Sequence, residues 1–382
     1  MPEAFKNLIN AGTIERAAFH LQRAWPGFDR QRFVQLAGAG LGGLEMKARA
    51  MQIAEALDTC LPRGFDEAAA IVEAALAPPG AGGDDAEAQG LTGWVGWSLG
   101  EFVARRMAAR PADLPGGLRC LRELTQRFTA EFAIRPLLRD HPDEVWPVLL
   151  QWSQDTSPLV RRLASEGSRP RLPWGLRLQA LVQDPSPALP VLLRLQDDTD
   201  EVVRRSVANH LNDIAKDHPE RLADWLERHL PGASAERRAL LRHASRTLIK
   251  QGHPRVLQAW GVGGRFRGQA ALVVSPAAAA VGGGVALALT LRSTARRPQD
   301  LVVDYAVHHM TARGVPSPKV FKGWTLTLAP GEERALARQH SLKPITTRRY
   351  HPGWHAVSVH INGVPVAEAG FELALAGATR GR

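Results

Sequence analysis

Cysteine, long apolar runs and signals for export are all scarce or missing in this 382-residue chain. Its two cysteines, Cys60 and Cys120, do not suggest a disulfide framework or a cysteine-rich zinc site. The longest apolar run, residues 281–291, is interrupted by three glycines and is too short to cross a bilayer. Residues 1–10 lack the basic and apolar segments of a signal peptide. These absences favour a protein of the cytosol with no membrane partner.

Acidic residues are also scarce toward the C-terminus. Residues 261–382 hold 15 basic and 6 acidic side chains, residues 101–260 hold 25 and 20, and residues 1–100 hold 8 and 12. The net charge of +10 therefore resides in the middle and the end of the chain. A localised positive field indicates a polyanionic partner, most simply nucleic acid. On charge alone, a need for solubility explains the excess equally well.

An internal repeat organises the region from about residue 93 to residue 260. Nine identities recur in one ungapped register with an offset of 43 residues. A period of about 40–47 residues built from two helices is the signature of HEAT or armadillo repeats. The matching pairs are 147–150 with 190–193 (Pro-Val-Leu-Leu), 155–156 with 198–199 (Asp-Thr), and 160–162 with 203–205 (Val-Arg-Arg). A weaker third copy leads to Arg237 and Arg238.

The second helix of each copy has a recognisable start and an apolar face. Ser157 followed by Pro158 is a favourable N-cap and first helical position. In the next copy Val203, Val207, Leu211 and Ile214 form one apolar stripe. The arginines of each Val-Arg-Arg run lie off that stripe. Stacked copies would therefore give a solenoid with a row of guanidinium groups along one side.

After residue 260 the pattern changes to alternation with a period of two. Apolar residues alternate in four clear runs near 285–289, 303–307, 324–328 and 357–361, separated by turns such as Pro-Gly and Asn-Gly. About seven strands in about 110 residues predict an immunoglobulin-like sandwich. The predicted fold is thus mainly α: a HEAT-like α-α superhelical solenoid over residues 1–260, followed by a small all-β immunoglobulin-like sandwich over residues 265–375.

Several catalytic and binding motifs are absent or out of context. Residues 38–43 fit the dinucleotide-binding pattern G-x-G-x-x-G, but helices are predicted on both sides, and the pattern requires a preceding strand. Histidines are not paired with acidic residues or cysteines at metal-ligand spacings. Neither a G-x-S-x-G elbow nor a Walker loop occurs. We therefore expect no cofactor and no metal.

One segment interrupts the repeat. Where the second copy continues as helix through residues 209–213, the first continues as Ser-Glu-Gly-Ser-Arg-Pro-Arg-Leu-Pro-Trp-Gly over 165–175. This Gly/Pro-rich segment carries a carboxylate, two arginines and Trp174, which a solenoid does not require. A purely structural interpretation remains open, in which Trp174 fills a gap between helices and Glu166 pairs with an arginine.

The run from Arg161 to Trp174 (Arg-Arg-Leu-Ala-Ser-Glu-Gly-Ser-Arg-Pro-Arg-Leu-Pro-Trp) resembles the AlkC branch of the AlkC/AlkD family of bacterial alkylpurine DNA glycosylases. The helical array and the immunoglobulin-like tail support the resemblance, which covers essentially the whole chain. The resemblance implies a monofunctional glycosylase of base excision repair that removes N3-methyladenine and N3-methylcytosine without base flipping. The active-site residues of the family fall on Glu131, Glu166, Trp174 and Asp213. AlkD-type sites place two tryptophans around one aspartate, and this sequence departs from that pattern.

The chemistry of such lesions suits these residue types. A cationic base leaves without being protonated, and positive charge develops on the sugar. Carboxylates stabilise that charge and can orient the attacking water, while an aromatic face attracts a cation by ~0.5–2 kcal/mol. A lyase would need an amine, and the lysines of residues 101–260, Lys216 and Lys250, do not adjoin the 166–174 segment in the sequence. We therefore expect hydrolysis to an abasic site.

The predicted partner is double-stranded DNA containing alkylated bases, bound by a monomer in the bacterial cytoplasm at the nucleoid. Arginine side chains would hold the phosphates without base readout, although any single one could instead occupy a solvated helix face or a salt bridge. An alternative is a non-catalytic HEAT scaffold that binds DNA or protein, which leaves the 165–175 segment unexplained. The arginines predicted to contact DNA are Arg161, Arg162, Arg169, Arg171, Arg204, Arg205, Arg237 and Arg238.

Overall fold

The computed structural model describes residues 5–81, 84–262, 264–345 and 348–374. Within these ranges the chain forms seventeen α-helices and then eight β-strands. None of the described helices combines the length and the apolar character that a membrane crossing requires. The helices are α1 (Ala11–Ala24), α2 (Arg30–Gly38), α3 (Met46–Cys60), α4 (Phe65–Ala75), α5 (Asp84–Gln89), α6 (Val95–Ala109), α7 (Leu114–Thr125), α8 (Glu131–Asp140), α9 (Pro142–Trp152), α10 (Pro158–Gly167), α11 (Gln179–Gln183), α12 (Leu189–Leu195), α13 (Glu201–Asp217), α14 (Pro219–His229), α15 (Ala235–Ala244), α16 (Arg246–Gln251) and α17 (Pro254–Ala259). Short 3₁₀ turns occur at Phe5–Leu8, Leu41–Gly43, Pro111–Asp113 and Ser186–Ala188.

The two copies of the repeat fold into the same pair of helices, α9 with α10 and α12 with α13. Between the helices of each copy, an aspartate carboxylate accepts the backbone N–H two residues further on. Asp155 Oδ1 accepts from Ser157, and Asp198 Oδ1 accepts from Asp200, both at 2.9 Å. Pro158 follows as the first residue of α10, where its missing N–H costs nothing. The prediction of a two-helix repeat is confirmed.

The first arginine of each Val-Arg-Arg run fastens this turn. Arg161 Nη1 donates to the carbonyl oxygens of Asp155 and Thr156 at 2.9 and 3.0 Å, and Arg204 makes the same two bonds in its own copy. Arg161 also forms a two-point ion pair with Asp198 of the next copy, at 2.6 and 2.9 Å. The ion pair of Arg161 with Asp198 thus joins the first copy to the second.

Helices α3, α6, α8, α10, α13 and α15 contact one another in succession. The predicted stripe of α13 is fully buried in this array: Val203, Val207, Leu211 and Ile214 all lie in the core. Stacked helix pairs that share a continuous core are the arrangement of a HEAT-like array, as predicted. Residues 38–43 comprise the end of α2 and the following 3₁₀ turn and do not follow a strand, as the rejection of a dinucleotide-binding loop requires.

The contacts divide the chain into two compact units. The helical unit holds residues up to Asp217 together with Ala235–Ala244, and the sheet-containing unit holds His218–Ser234 and the residues from Ser245 onward. Within the latter, Gly252 lies so close to Gly363 that a Cβ on Gly252 would be 2.2 Å from Gly363 Cα, and both have a left-handed φ, of 73° and 80°. Helices α14, α16 and α17 belong to this unit. The contacts thus group three helices before residue 260 with the strands, and the predicted division into domains at 1–260 and 265–375 stays a prediction.

The sheet-containing unit carries two sheets with a shared core. One has the order β1-β3-β6 and the other β2-β8-β7-β4-β5, and all pairs are antiparallel except β2 with β8. Apolar residues alternate inward as predicted, and Asn362-Gly363 forms the turn between β7 and β8 with positive φ at both residues. The described residues form eight strands where about seven were predicted, and the shortest, β2, consists of three alanines whose sequence shows no alternation. The strands are β1 (Gly268–Ser275), β2 (Ala278–Ala280), β3 (Gly284–Ser293), β4 (Gln299–Met310), β5 (Pro316–Leu328), β6 (Glu333–Ser341), β7 (Gly353–Ile361) and β8 (Val364–Ala374).

Candidate active site

The structure brings the three predicted carboxylates onto neighbouring helices of the helical unit. Glu131 lies in the first turn of α8, Glu166 in the last turn of α10, and Asp213 in α13. Helix α10 contacts both α8 and α13. All three carboxylates are buried. Buried charges require partners, and the partners define what the site can do.

Arg169 joins Glu166 to Asp213. Its Nη1 donates to Glu166 Oε1 at 2.6 Å, and its Nε donates to Asp213 Oδ2 at 2.8 Å. The second oxygen of Glu166 accepts from Ser206 Oγ at 2.6 Å, and that of Asp213 accepts from Lys216 Nζ at 2.8 Å. Burial lowers the pKa of Arg169, but the two carboxylates outweigh this and raise the pKa above its ordinary value. The network therefore holds two carboxylates around a permanent cation.

Lys216 corrects an expectation from the sequence. In the chain it is remote from the 166–174 segment, but it lies one turn after Asp213 on α13, so its ammonium reaches the Asp213 carboxylate. Its side chain remains 41% exposed. An amine therefore lies beside a candidate catalytic carboxylate. The distance of lysines along the sequence was the wrong basis for expecting simple hydrolysis, because a helix brings residues three apart onto one face.

Glu131 has a separate set of partners. Arg162 Nη1 donates to Glu131 Oε2 at 3.0 Å and to Thr129 Oγ1 at 3.2 Å. Burial raises the pKa of the Glu131 carboxyl, and the opposing effect of Arg162 does not cancel the rise. A carboxylate with a raised pKa is suited to accept a proton from water near neutral pH.

A fully buried arginine of α8 holds the segment that breaks the repeat. Arg135 Nη1 donates to the carbonyl oxygen of Gly167 at 2.9 Å, and its Nε donates to that of Leu176 at 2.6 Å. Burial lowers its pKa to about 10, so it remains charged at neutral pH. Three residues beyond the segment, the Leu178 N–H donates back to the Pro170 carbonyl oxygen at 3.2 Å. The segment is therefore fixed at both of its ends.

Trp174 is exposed and has a strained backbone. Its side chain is 67% exposed, and its φ is +62°, in the left-handed region. Such a φ is unusual for a bulky residue and costs about 1–3 kcal/mol, which the surrounding structure has to offset. The interpretation that Trp174 fills a gap between helices is wrong, because an indole with two thirds of its surface in solvent fills no gap.

The eight arginines predicted to bind phosphate lie in different environments, and they do not form a uniform row. Arg169 is buried with its donors on carboxylates, which suits a role within the site better than a phosphate contact. Arg205 is exposed, and with Arg204 it lines a groove of about 470 Å³ between α13 and α15. Phosphate contact stays a prediction for the set. Ion pairs with carboxylates form at Arg161 (Asp198), Arg162 (Glu131), Arg169 (Glu166, Asp213), Arg171 (Asp217) and Arg237 (Asp197); Arg238 lies on α15.

Two residues that the sequence reasoning missed lie on the same helix as Asp213. Ser206 binds Glu166, and His210 is fully buried with its Nδ1 2.9 Å from the Ser165 carbonyl oxygen. Burial lowers the pKa of His210 to about 3, so the ring is neutral and Nδ1 donates. Residues 206, 210 and 213 follow the spacing of a core stripe, and three polar residues at that spacing were a signal of a buried polar site. Over the described ranges, no group of three or more His, Cys, Asp or Glu is arranged to hold a metal ion.

Comparison with known proteins defines the class. A family model described as "DNA alkylation repair enzyme" matches residues 128–248, which include all three carboxylates and the 165–175 segment. A second model, described as the C-terminal Ig-like domain of the uncharacterised protein YhaZ, matches residues 269–375. The chain belongs to the family of DNA alkylation repair enzymes.

Two relatives match over nearly the full length. The chain is 33% identical to the uncharacterized protein YhaZ of Bacillus subtilis over 360 residues, which cover 94% of this chain and 96% of the relative. It is similar to the Pseudomonas fluorescens alkylpurine DNA glycosylase AlkC bound to DNA containing an abasic site analog, with a TM-score of 0.86 and 35% identity. That match covers 97% of this chain and 100% of the other. The resemblance to the AlkC branch and the predicted fold class are confirmed.

Proposed function

We propose that this protein is a monofunctional DNA glycosylase that hydrolyses the N-glycosidic bond of cationic alkylated bases in duplex DNA and leaves an abasic site. The proposed substrates are N3-methyladenine and N3-methylcytosine. The observation that carries the proposal is the group of buried carboxylates on α8, α10 and α13, together with the exposed, strained Trp174 on the segment that follows α10. The likeness to AlkC bound to DNA containing an abasic site analog supports DNA as the partner.

The chemistry follows from the charges. An N3-alkylated base is already a cation, so it departs without an acid, and positive charge passes to the sugar. Glu166 and Asp213, held in place by Arg169, are preorganised negative charges for that transition state. Glu131, whose pKa is raised by burial, is the candidate to accept the proton of the attacking water. The exposed face of Trp174 attracts the cationic base.

The same arrangement limits the substrates. A neutral base needs protonation as it leaves, and the groups of this site that carry protons, Arg169, Arg162 and Lys216, are engaged in ion pairs with carboxylates. The site should therefore accelerate the release of neutral damaged bases only slightly. As an enzyme of chromosomal DNA, the protein would act as a monomer in the bacterial cytoplasm at the nucleoid, without a cofactor.

The test is single-turnover release of free base from duplexes that contain N3-methyladenine or N3-methylcytosine, with a uracil-containing duplex as the neutral control. We expect release from the cationic lesions alone, with an alkali-labile abasic site as the product. Binding to these duplexes without release of base would contradict the proposal and favour the non-catalytic scaffold.

Lys216 makes a second readout necessary. Borohydride reduces a Schiff base to a stable protein–DNA crosslink, so it separates hydrolysis from lyase chemistry. We expect no crosslink to the wild-type protein. A crosslink that disappears in Lys216→Arg would show that the enzyme is not monofunctional.

A further inference from the structure

A line of aromatic rings leads to the exposed indole of Trp174. The Trp174 ring centroid lies 5.6 Å from that of Phe5, Phe5 lies edge-on to Trp94 at 4.9 Å, and Trp94 lies 5.0 Å from Phe128. All four belong to the helical unit. Phe5 is itself 48% exposed. The contact between residues 5 and 174 is therefore made at the surface, outside the apolar core.

The N-terminal turn Phe5–Leu8 is held firmly enough to support this contact. Arg49 of α3 is buried, and its Nη1 donates to the carbonyl oxygens of Lys6 and Ile9 at 3.1 and 2.8 Å. Its Nε donates to the Leu44 carbonyl oxygen at 2.9 Å. Lys6 Nζ also pairs with Glu45 at 2.8 Å. A buried guanidinium bound to backbone carbonyls fixes the position of Phe5 relative to α3.

Stability alone does not explain the pair. An aromatic contact that leaves about half of one side chain and two thirds of the other in water recovers little of the free energy of apolar burial. The backbone of Trp174 meanwhile carries the cost of a left-handed φ. Strain that is retained at an exposed side chain is typical of a residue that a functional site holds in one orientation.

We propose that Phe5 is a positioning residue that holds the Trp174 indole in the orientation in which it meets the nucleotide at the lesion. This inference rests on the proposed function. Loss of the ring of Phe5 leaves Trp174 with more rotamers. Binding of DNA then has to order the indole, and the lost conformational entropy weakens the affinity. We expect the affinity for a duplex containing an abasic-site analogue, and the single-turnover excision rate, to fall about 2- to 10-fold, the range of one aromatic pair.

The experiment compares Phe5→Ala with Phe5→Tyr, which keeps the ring, and with Phe19→Ala. Phe19 is a matched control because it is 50% exposed on α1 and its ring contacts His20. We expect Phe5→Ala to lose affinity and rate, Phe5→Tyr to restore both, and Phe19→Ala to match the wild type, with equal melting temperatures throughout. In a Trp174→Ala background, Phe5→Ala should have no further effect.

A readout without DNA separates this inference from the proposed function. The contribution of Trp174 to tryptophan fluorescence is the difference between the wild type and Trp174→Phe. Measured again in the Phe5→Ala background, this contribution should shift to the red and become more accessible to acrylamide. An unchanged Trp174 emission in the Phe5→Ala background would overturn the positioning role even if excision is confirmed. The same holds if Phe5→Ala lowers affinity and excision rate equally in the presence and in the absence of Trp174. Altered emission in a protein that releases no base would contradict the proposed function alone.

Discussion

The two copies of the repeat begin alike and end differently. In both, an Asp-Thr turn leads into a helix whose first arginine binds back to that turn. In the first copy, α10 stops after 10 residues and the 168–178 segment follows; in the second, α13 continues for 17 residues. The second arginines differ too, since Arg162 pairs with buried Glu131 and Arg205 is exposed.

This difference distinguishes the residues that build the helical framework, which the two copies share, from the residues that form the candidate active site. The shared residues stack one copy on the next, and the residues that differ meet at the place where α10 ends. Position 167 is glycine in the first copy, and a Cβ there would be 2.4 Å from Ile134 Cγ2. Position 210, its counterpart in the second copy, is the histidine whose ring reaches Ser165. Substitutions at the differing positions should thus alter catalysis or the buried polar network, while those of the shared turn and its first arginine should alter stability.

The largest effect is expected at Glu166. Glu166→Gln keeps the shape of the side chain and removes its negative charge, so single-turnover excision should fall about 10²- to 10³-fold. Binding to a duplex with an abasic-site analogue should persist. Measurement of both on the same preparation separates the loss of transition-state stabilisation from the loss of affinity.

Glu123→Gln is the matched control. Glu123 is a half-buried carboxylate of α7 whose partners, Arg122 and Arg127, lie outside the site, so its loss should leave excision unchanged. Asp213→Asn tests the second carboxylate of the Arg169 network in the same way. Excision by Glu166→Gln at the wild-type rate would contradict the assignment.

A smaller effect, on stability, is expected at His210. Its pKa is about 3 in the folded protein and about 6.5 in an unfolded chain, so the unfolded chain binds a proton first. The stability contributed by the neutral ring is present above pH 6.5 and is lost as pH falls from 6.5 toward 3. By pH 5 the loss from this one residue is about 2 kcal/mol.

Urea unfolding of the wild type and of His210→Gln, at pH 7 and at pH 5, measures this loss. The variant should lose about 2 kcal/mol less between the two pH values. Other buried histidines, His309 and His340, contribute equally to both proteins and cancel. His141→Gln, a change of a half-buried histidine, serves as the control. Equal losses in the wild type and His210→Gln would show that His210 does not carry this dependence.

The framework was predictable from the sequence because its signals are periodic. Identities at an offset of 43 residues and alternation with a period of two each report a local geometry that repeats. The carboxylates were found through the resemblance, and the pairing of Glu166 with an arginine was one interpretation of the sequence, which Arg169 confirms. The remaining partners were not predictable, because Arg135 binds Gly167 over 32 residues and Arg169 binds Asp213 over 44 residues, and no spacing rule foretells such pairings. The contact of Arg135 with the Leu176 carbonyl oxygen, two residues after Trp174, likewise spans 41 residues of the sequence.

The smallest effect concerns one arginine near the start of each of two helices, Arg161 of α10 and Arg205 of α13. Arg161 is fixed between its own turn and Asp198, whereas for Arg205 the described parts of the chain offer no ion-pair partner. If Arg205 binds phosphate, Arg205→Ala should weaken binding to undamaged duplex about 2- to 5-fold, and the slope of log affinity against log salt should fall by about 0.9, the share of one released counterion. Arg161→Ala should instead lower the free energy of unfolding, because it leaves a buried Asp198 without its partner, and the slope should stay the same. If instead the salt slope changes in Arg161→Ala and not in Arg205→Ala, the two roles are assigned the wrong way round. Arg205, the exposed arginine of the second copy, would then not contact the duplex.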